Sequence, residues 1–199
     1  MFTGSHPAKM NSTTYGKYFS STSIGPVIAY NFTEHHESKC LDVLSNIYMD
    51  GDIVMLIVGE VDCRWHLPKR IATNNESMSN VVNECCNRFF RSVLNLRDRG
   101  YKMAVWCGHP STTEGHRDNY DSPVWGDCLN RNKISLEWKA SLEKLSDDNR
   151  IPCISIIDDI IMPDGLTDMS YFIDYCHLNT DKTLPMVINK FVEKGLLAL

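Results

Sequence analysis

Strand-like and helix-like hydrophobic patterns take turns along this chain, and that alternation restricts its possible folds more than any single residue does. Val27–Phe32 is rich in β-prone side chains. Cys40, Val43, Leu44, Ile47 and Tyr48 then follow the three-and-four spacing of an amphipathic helix, which stops at the turn signal Asp50-Gly51. Ile53–Val58 is an apolar run of strand length. Val82, Cys85, Cys86, Phe89, Val93 and Leu96 predict a long helix ending near Gly100. Lys102–Cys107 predicts a further strand, and Ile134, Trp138, Leu142 and Leu145 a helix. Pro152–Ile157 predicts another strand, and Leu184, Val187, Ile188, Phe191 and Val192 a closing helix. Strands joined through helices of ten or so residues run parallel, and the helices cover both faces of the sheet. Runs that are apolar throughout, rather than alternating, are what a doubly covered sheet requires. The expected fold is α/β, a three-layer α/β/α sandwich around a central parallel sheet. With 199 residues, no internal repeat and no Gly/Ser-rich linker, one domain spanning residues 1–199 is expected.

Charge and composition remove several classes of function. Twenty-five acidic residues against 20 basic ones give a net charge of -5, so the chain lacks the positive footprint that phosphate neutralisation needs, and no nucleic-acid partner is expected. The longest apolar run, Ile53–Val58, is far shorter than the roughly 20 residues that span a bilayer, so no membrane span is expected. The opening residues Met1–Pro7 hold neither a basic leader nor an apolar stretch, which predicts a cytoplasmic location. Eight cysteines, at 40, 63, 85, 86, 107, 128, 153 and 176, contain no Cys-x-x-Cys, which predicts reduced thiols and no structural metal. His35, His36, His66, His109 and His116 do not repeat at the i, i+4 spacing of a two-histidine helix site, so neither metal nor cofactor is expected.

In open α/β sheets ligands gather beyond the carboxyl ends of the strands. The segments there are polar: Gly4-Ser5-His6 after Met1–Thr3, Gly59–Arg64 after Ile53–Val58, Gly108-His109 after Lys102–Cys107, and Asp174–Leu178 before the last helix. A serine hydroxyl becomes a nucleophile only with a base in hydrogen-bond reach, itself held by a third group. Ser5, His177 and Asp174 are the candidates; an imidazole both takes and returns a proton near neutrality, and Asp-x-x-His puts the last two within one turn. Each has a structural alternative, Ser5 as a helix N-cap ahead of Pro7, Asp174 as a surface cap and His177 as a packed ring. Asp62 and Arg64 form an ion pair that ties down a loop, or Arg64, with Glu60 and Asp62, binds an anionic or hydroxyl-rich substrate through its fork of donors. Cys63 and Cys107 close strands and are either redox-active or small buried hydrophobes. Gly108–Asn132 lacks periodicity and reads as a long binding loop or lid, with Trp125 either stacking on a sugar or plugging the core.

Together these residues resemble the SGNH (GDSL-like) hydrolases. Asp174-x-x-His177-Leu178 lies late in the chain and Gly4-Ser5-His6 follows the first strand, the two positions the family uses for its base and nucleophile. Gly59-Glu60-Val61-Asp62-Cys63-Arg64 is similar to a Gly-Glu-Ile-Asp-Cys-Arg segment of one SGNH-like subgroup, and Gly25–Tyr30 is similar to the Gly-Pro segment upstream of it. The resemblance implies a flavodoxin-like SGNH architecture, with Ser5 as nucleophile, His177 as general base, Asp174 as its orienting carboxylate, and an oxyanion hole from Ser5 and Gly25. It implies a serine esterase acting on small O-acyl esters, carbohydrate esters first among them. Two departures stand out. Val61 occupies the place where the family carries an asparagine donor, and Thr3-Gly4-Ser5 replaces Gly-Asp-Ser after a very short strand. They motivate the alternative of a catalytically degenerate carbohydrate- or anion-binding domain.

Overall fold

A computed structural model describes residues 2–3, 19–25, 27–108, 110–113, 124–174 and 176–198. Among them β1 (Phe2–Thr3), β2 (Ile53–Leu56), β3 (Lys102–Trp106) and β4 (Cys153–Ile154) form one sheet in the order β1-β2-β3-β4, with every pairing parallel. Thr3 stands opposite Leu56, Leu56 opposite Val105, and Val105 opposite Cys153, so the strands end on one common edge.

Period-two alternation along the strands sorts their side chains into two cores. Val54, Leu56, Met103, Val105 and Cys107 join one buried cluster with α1 (Phe32–His35), α2 (Glu37–Ile47), α3 (Leu67–Asn74), α4 (Met78–Asp98) and α5 (Cys128–Asn149). Met55, Ala104, Trp106 and Ile154 join a second, with Phe19, Phe172 and the Leu184, Val187, Ile188, Phe191 stripe of α6 (Thr180–Glu193). The chain therefore has the expected α/β/α sandwich architecture. Helix starts follow local chemistry: Ser77, Asp127 and Asn179 cap α4, α5 and α6 by accepting the N–H groups of Asn80, Asn130 and Asp181. No helix among the described residues is long and apolar enough to cross a membrane.

Four local readings differ from the structure. Val27–Phe32 is not a strand: Ala29–Asn31 is a 3-10 turn that runs into α1. Ala29 and Phe32 are both fully buried, a spacing of three, and Phe32 packs edge-on against Phe89 of α4 at 5.6 Å. The last strand shortens to two residues because Ile157–Asp159 coils into another 3-10 turn. The polar stretch after β2 holds α3, and α5 starts at Cys128, so the long loop ends at its cap Asp127. Lastly, the expectation of reduced thiols throughout fails for Cys107 and Cys153, which are disulfide-bonded across β3 and β4. The parallel register puts both sulfurs on the same face, with the Cα atoms 6.3 Å apart, inside the range a bridge can span.

Candidate active site

The loop between the second core and α6 builds an aspartate–histidine pair from bonds between near neighbours in sequence. Phe172 bridges to Leu178, and the Ile173 N–H donates to the His177 carbonyl, closing a short antiparallel loop. Inside it, Asp174 Oδ1 accepts the N–H groups of Cys176 (2.9 Å) and His177 (2.8 Å). Its other oxygen, Oδ2, lies 2.7 Å from His177 Nδ1. Partial burial works to raise the Asp174 carboxyl, but the Cys176 N–H and the His177 ring and N–H outweigh it and hold it down to about 2. An ionised carboxylate against Nδ1 favours the tautomer with its proton there, which leaves Nε2 as the basic nitrogen. Phe172 and Leu178 pack into the Met55–Trp106 core, so the pair is tethered to the sheet face that carries α6.

At the end of β2 the chain turns sharply. Gly59 has φ +104°, and a Cβ there would lie 2.6 Å from Cζ2 of the fully buried Trp138; Gly108, at the end of β3, meets the same indole. Trp138 of α5 thus wedges between two strand exits that only glycine permits. A single widened π-type turn, Asp62–His66, then leads into α3 and buries Asp62, Cys63 and Arg64 in succession, which a regular helix face does not do.

Asp62 has no exposed surface. Its carboxylate accepts the N–H groups of Ala29 (2.8 Å) and Tyr30 (3.4 Å), and so caps the 3-10 turn read from sequence as a strand. Burial, aided by the Glu60 charge and opposed by those N–H groups, pushes its carboxyl up to about 6. Arg64 forks onto Glu60 one turn earlier, Nε to Oε1 at 2.5 Å and Nη2 to Oε2 at 3.3 Å. Of the three residues expected to meet substrate, Asp62 is placed inside the protein as a brace, and Arg64, itself buried, pairs with the half-buried Glu60 beside it.

Ser5 lies outside the described residues; Thr3, two positions earlier, pairs with Leu56 at the common edge. Gly25 adopts φ +95° and its N–H donates to Ser23 Oγ at 3.2 Å. Val61 opens the π-type turn in helical conformation. Trp125 is half-buried against Trp65, edge to face at 5.6 Å, with Lys69 over both rings, and its N–H donates to the Arg64 carbonyl.

Sequence reasoning missed the anchor of the long loop. Arg131 is fully buried and donates to Ser111 Oγ (2.8 Å), to the Thr112 carbonyl (2.7 Å) and to the Gly126 carbonyl. Asn132 accepts the Ser111 N–H and donates to Thr167 Oγ1 and the Gly165 carbonyl. Both flanks of the loop are thereby fixed to the first turn of α5. A signal existed: Arg131 precedes Ile134 and Trp138 at core-facing helical spacing.

No family profile matches the sequence, and no curated protein matches it. Among solved structures the fold is similar to that of a protein designated an acylhydrolase from Bacteroides fragilis, with 14% identity, 98% of this chain and 86% of that one covered, and a TM-score of 0.64. A GDSL-like lipase from Bacteroides thetaiotaomicron shares 14% identity over 98% of this chain and 87% of its own, with a TM-score of 0.63. An acetyl xylan esterase shares 18% identity over 87% of this chain and 78% of its own, with a TM-score of 0.53. At such identities the likeness is one of fold.

Proposed function

We propose that the chain is a serine ester hydrolase of the SGNH type, cleaving small O-acyl esters, with carbohydrate esters the first substrates to try. The observation that carries this reading is the 2.7 Å contact between Asp174 Oδ2 and His177 Nδ1, made by a carboxylate whose other oxygen is locked by two N–H groups. His177 Nε2 takes the Ser5 proton as the hydroxyl attacks the acyl carbonyl, and returns it to the departing alcohol; water then releases the acyl group by the same route. Ser5 and Gly25 N–H groups hold the oxyanion. The Gly25 N–H leaves its long, exposed bond to Ser23 for a charged acceptor, and a charge-assisted bond is roughly twice as strong as a neutral one. Glu60 and Arg64 meet the alcohol portion, with Asp62 as a positioning residue behind them. The esterase and lipase named among the similar folds support this choice of reaction class.

Val61 favours a second reading. It offers no side-chain donor, and loss of one oxyanion donor costs on the order of 100- to 1,000-fold in kcat. A binding domain of the same fold that retains the cleft with little turnover fits that departure.

Hydrolysis of aryl acetates and labelling by a fluorophosphonate, compared in wild type, Ser5→Ala and His177→Ala, decide between them. Turnover and labelling that vanish in both variants support the hydrolase. Equal labelling and turnover in Ser5→Ala removes Ser5 as nucleophile, and glycan binding without turnover in the wild type supports the binding domain.

A further inference from the structure

One buried thiol at this site has no task in the reaction just described. Cys176 is 6% exposed and unbridged, and its Sγ lies 3.4 Å from His177 Nδ1 and 3.9 Å from Nε2. Ligand atoms of Asp174, Cys176 and His177 all fall within 4.8 Å of one another. The Asp174 and His177 side chains are 38% and 36% exposed, so an ion reaches them from solution.

We infer that Asp174, Cys176 and His177 form an inhibitory site for a thiophilic divalent cation of the zinc class. Tetrahedral zinc, with bonds of about 2.05 Å to nitrogen and oxygen and about 2.3 Å to sulfur, places N and S about 3.6 Å apart and N and O about 3.4 Å apart. The Sγ–Nδ1 separation of 3.4 Å already matches the first distance. The 2.7 Å Asp174–His177 contact must open by well under an ångström as the ion replaces the shared proton, and the Asp174 oxygen and Cys176 sulfur, which lie within 4.8 Å of each other, must settle at about 3.6 Å. A mixed set of thiolate, imidazole and carboxylate selects zinc over magnesium or calcium, which prefer all-oxygen sites. Three protein ligands leave a fourth position for water.

Proton bookkeeping turns binding into inhibition. The Cys176 thiol loses its proton to solvent. The neutral imidazole gives its Nδ1 lone pair to the ion and carries its proton on Nε2 instead. That is the wrong tautomer for a base acting through Nε2, so a bound ion silences the pair without displacing it. The inhibitory consequence rests on the proposed hydrolase reading; the binding itself does not.

Cobalt(II) separates the two, because a cobalt–thiolate bond gives a near-ultraviolet charge-transfer band in the absence of any ester. The titration uses the full chain, without reductant so that the Cys107–Cys153 bridge stays closed, in wild type and Cys176→Ser. A Cys176→Ala variant and thermal melting check that folding is kept. One equivalent of cobalt with a thiolate band is expected, lost in both variants, with zinc affinity at least roughly tenfold weaker in them. Ester hydrolysis, measured separately, is expected to be inhibited by zinc in the wild type and correspondingly less in Cys176→Ser. No band, or a band that survives loss of the Cys176 thiol because another cysteine holds the ion, overturns the site. A Cys176-dependent band with zinc-insensitive hydrolysis overturns the inhibition. Absence of any hydrolysis at all, with the band present, refutes the enzyme reading and leaves the metal site standing.

Discussion

Asp62→Asn tests the account of the β2 exit most directly, because the buried carboxylate should leave a pH signature that its amide lacks. Asp62 is raised to about 6 in the folded chain by burial, against about 3.9 for an aspartate in the unfolded one. Below about pH 4 the group is protonated in both states and the fold bears no penalty. As pH rises from about 4 to about 6 the unfolded chain sheds this proton while the folded chain keeps it, so stability falls; above that the full penalty is in place. At about 1.4 kcal/mol per pH unit, the ionised form costs the fold about 3 kcal/mol. The group has no exposed surface, so solvent screening does not discount that figure. Asparagine stays neutral, and its amide oxygen still accepts the Ala29 N–H; the burial of its NH2 group adds a cost that does not vary with pH. The stability difference, variant minus wild type, is therefore expected to climb by about 3 kcal/mol between pH 4 and pH 7, equivalent to about 6–12 °C in Tm for a chain of this length. Urea unfolding of both proteins at several pH values measures it, and subtraction cancels every titration they share. A difference constant to within about 0.5 kcal/mol, inside the usual scatter of such additivity tests, would refute the assignment of a raised Asp62.

The other two expectations concern the scaffold. Gly59→Ala forces a Cβ to 2.6 Å from the Trp138 ring at a positive φ, and strain plus overpacking should cost about 2–5 kcal/mol, read as a lowered unfolding midpoint; an unchanged midpoint would mean that Trp138 moves freely. Opening the Cys107–Cys153 bridge, which spans 46 positions, should lower stability by up to about 4 kcal/mol by loop-closure entropy, so melts with and without a thiol reductant should differ, and the Cys107→Ser, Cys153→Ser double variant should show no reductant effect.

Most of the architecture was legible because it follows from local periodicity. The stripes of α2, α4, α5 and α6 and the apolar runs of β2 and β3 state which face each element buries, and crossover length then makes the sheet parallel. The Asp174–His177 pair was legible for the same reason: the bonds that join the two residues span only three positions, so spacing alone brings the side chains together.

What the tertiary structure decided are the contacts between residues far apart in sequence. Asp62 lies 33 positions from Ala29, yet by taking the N–H groups of Ala29 and Tyr30 it converts a β-prone segment into a turn, since those donors are no longer free for a neighbouring strand. The same carboxylate, with Cys63 and Arg64, is drawn inside by a widened turn that no propensity rule marks. Cys107 and Cys153 carry no motif, and only the β3–β4 register, which sets Cys153 opposite Val105, reveals that they lie on one face two positions out of step. Periodicity encodes which side of an element is buried; it holds no information on which distant polar group will meet it there.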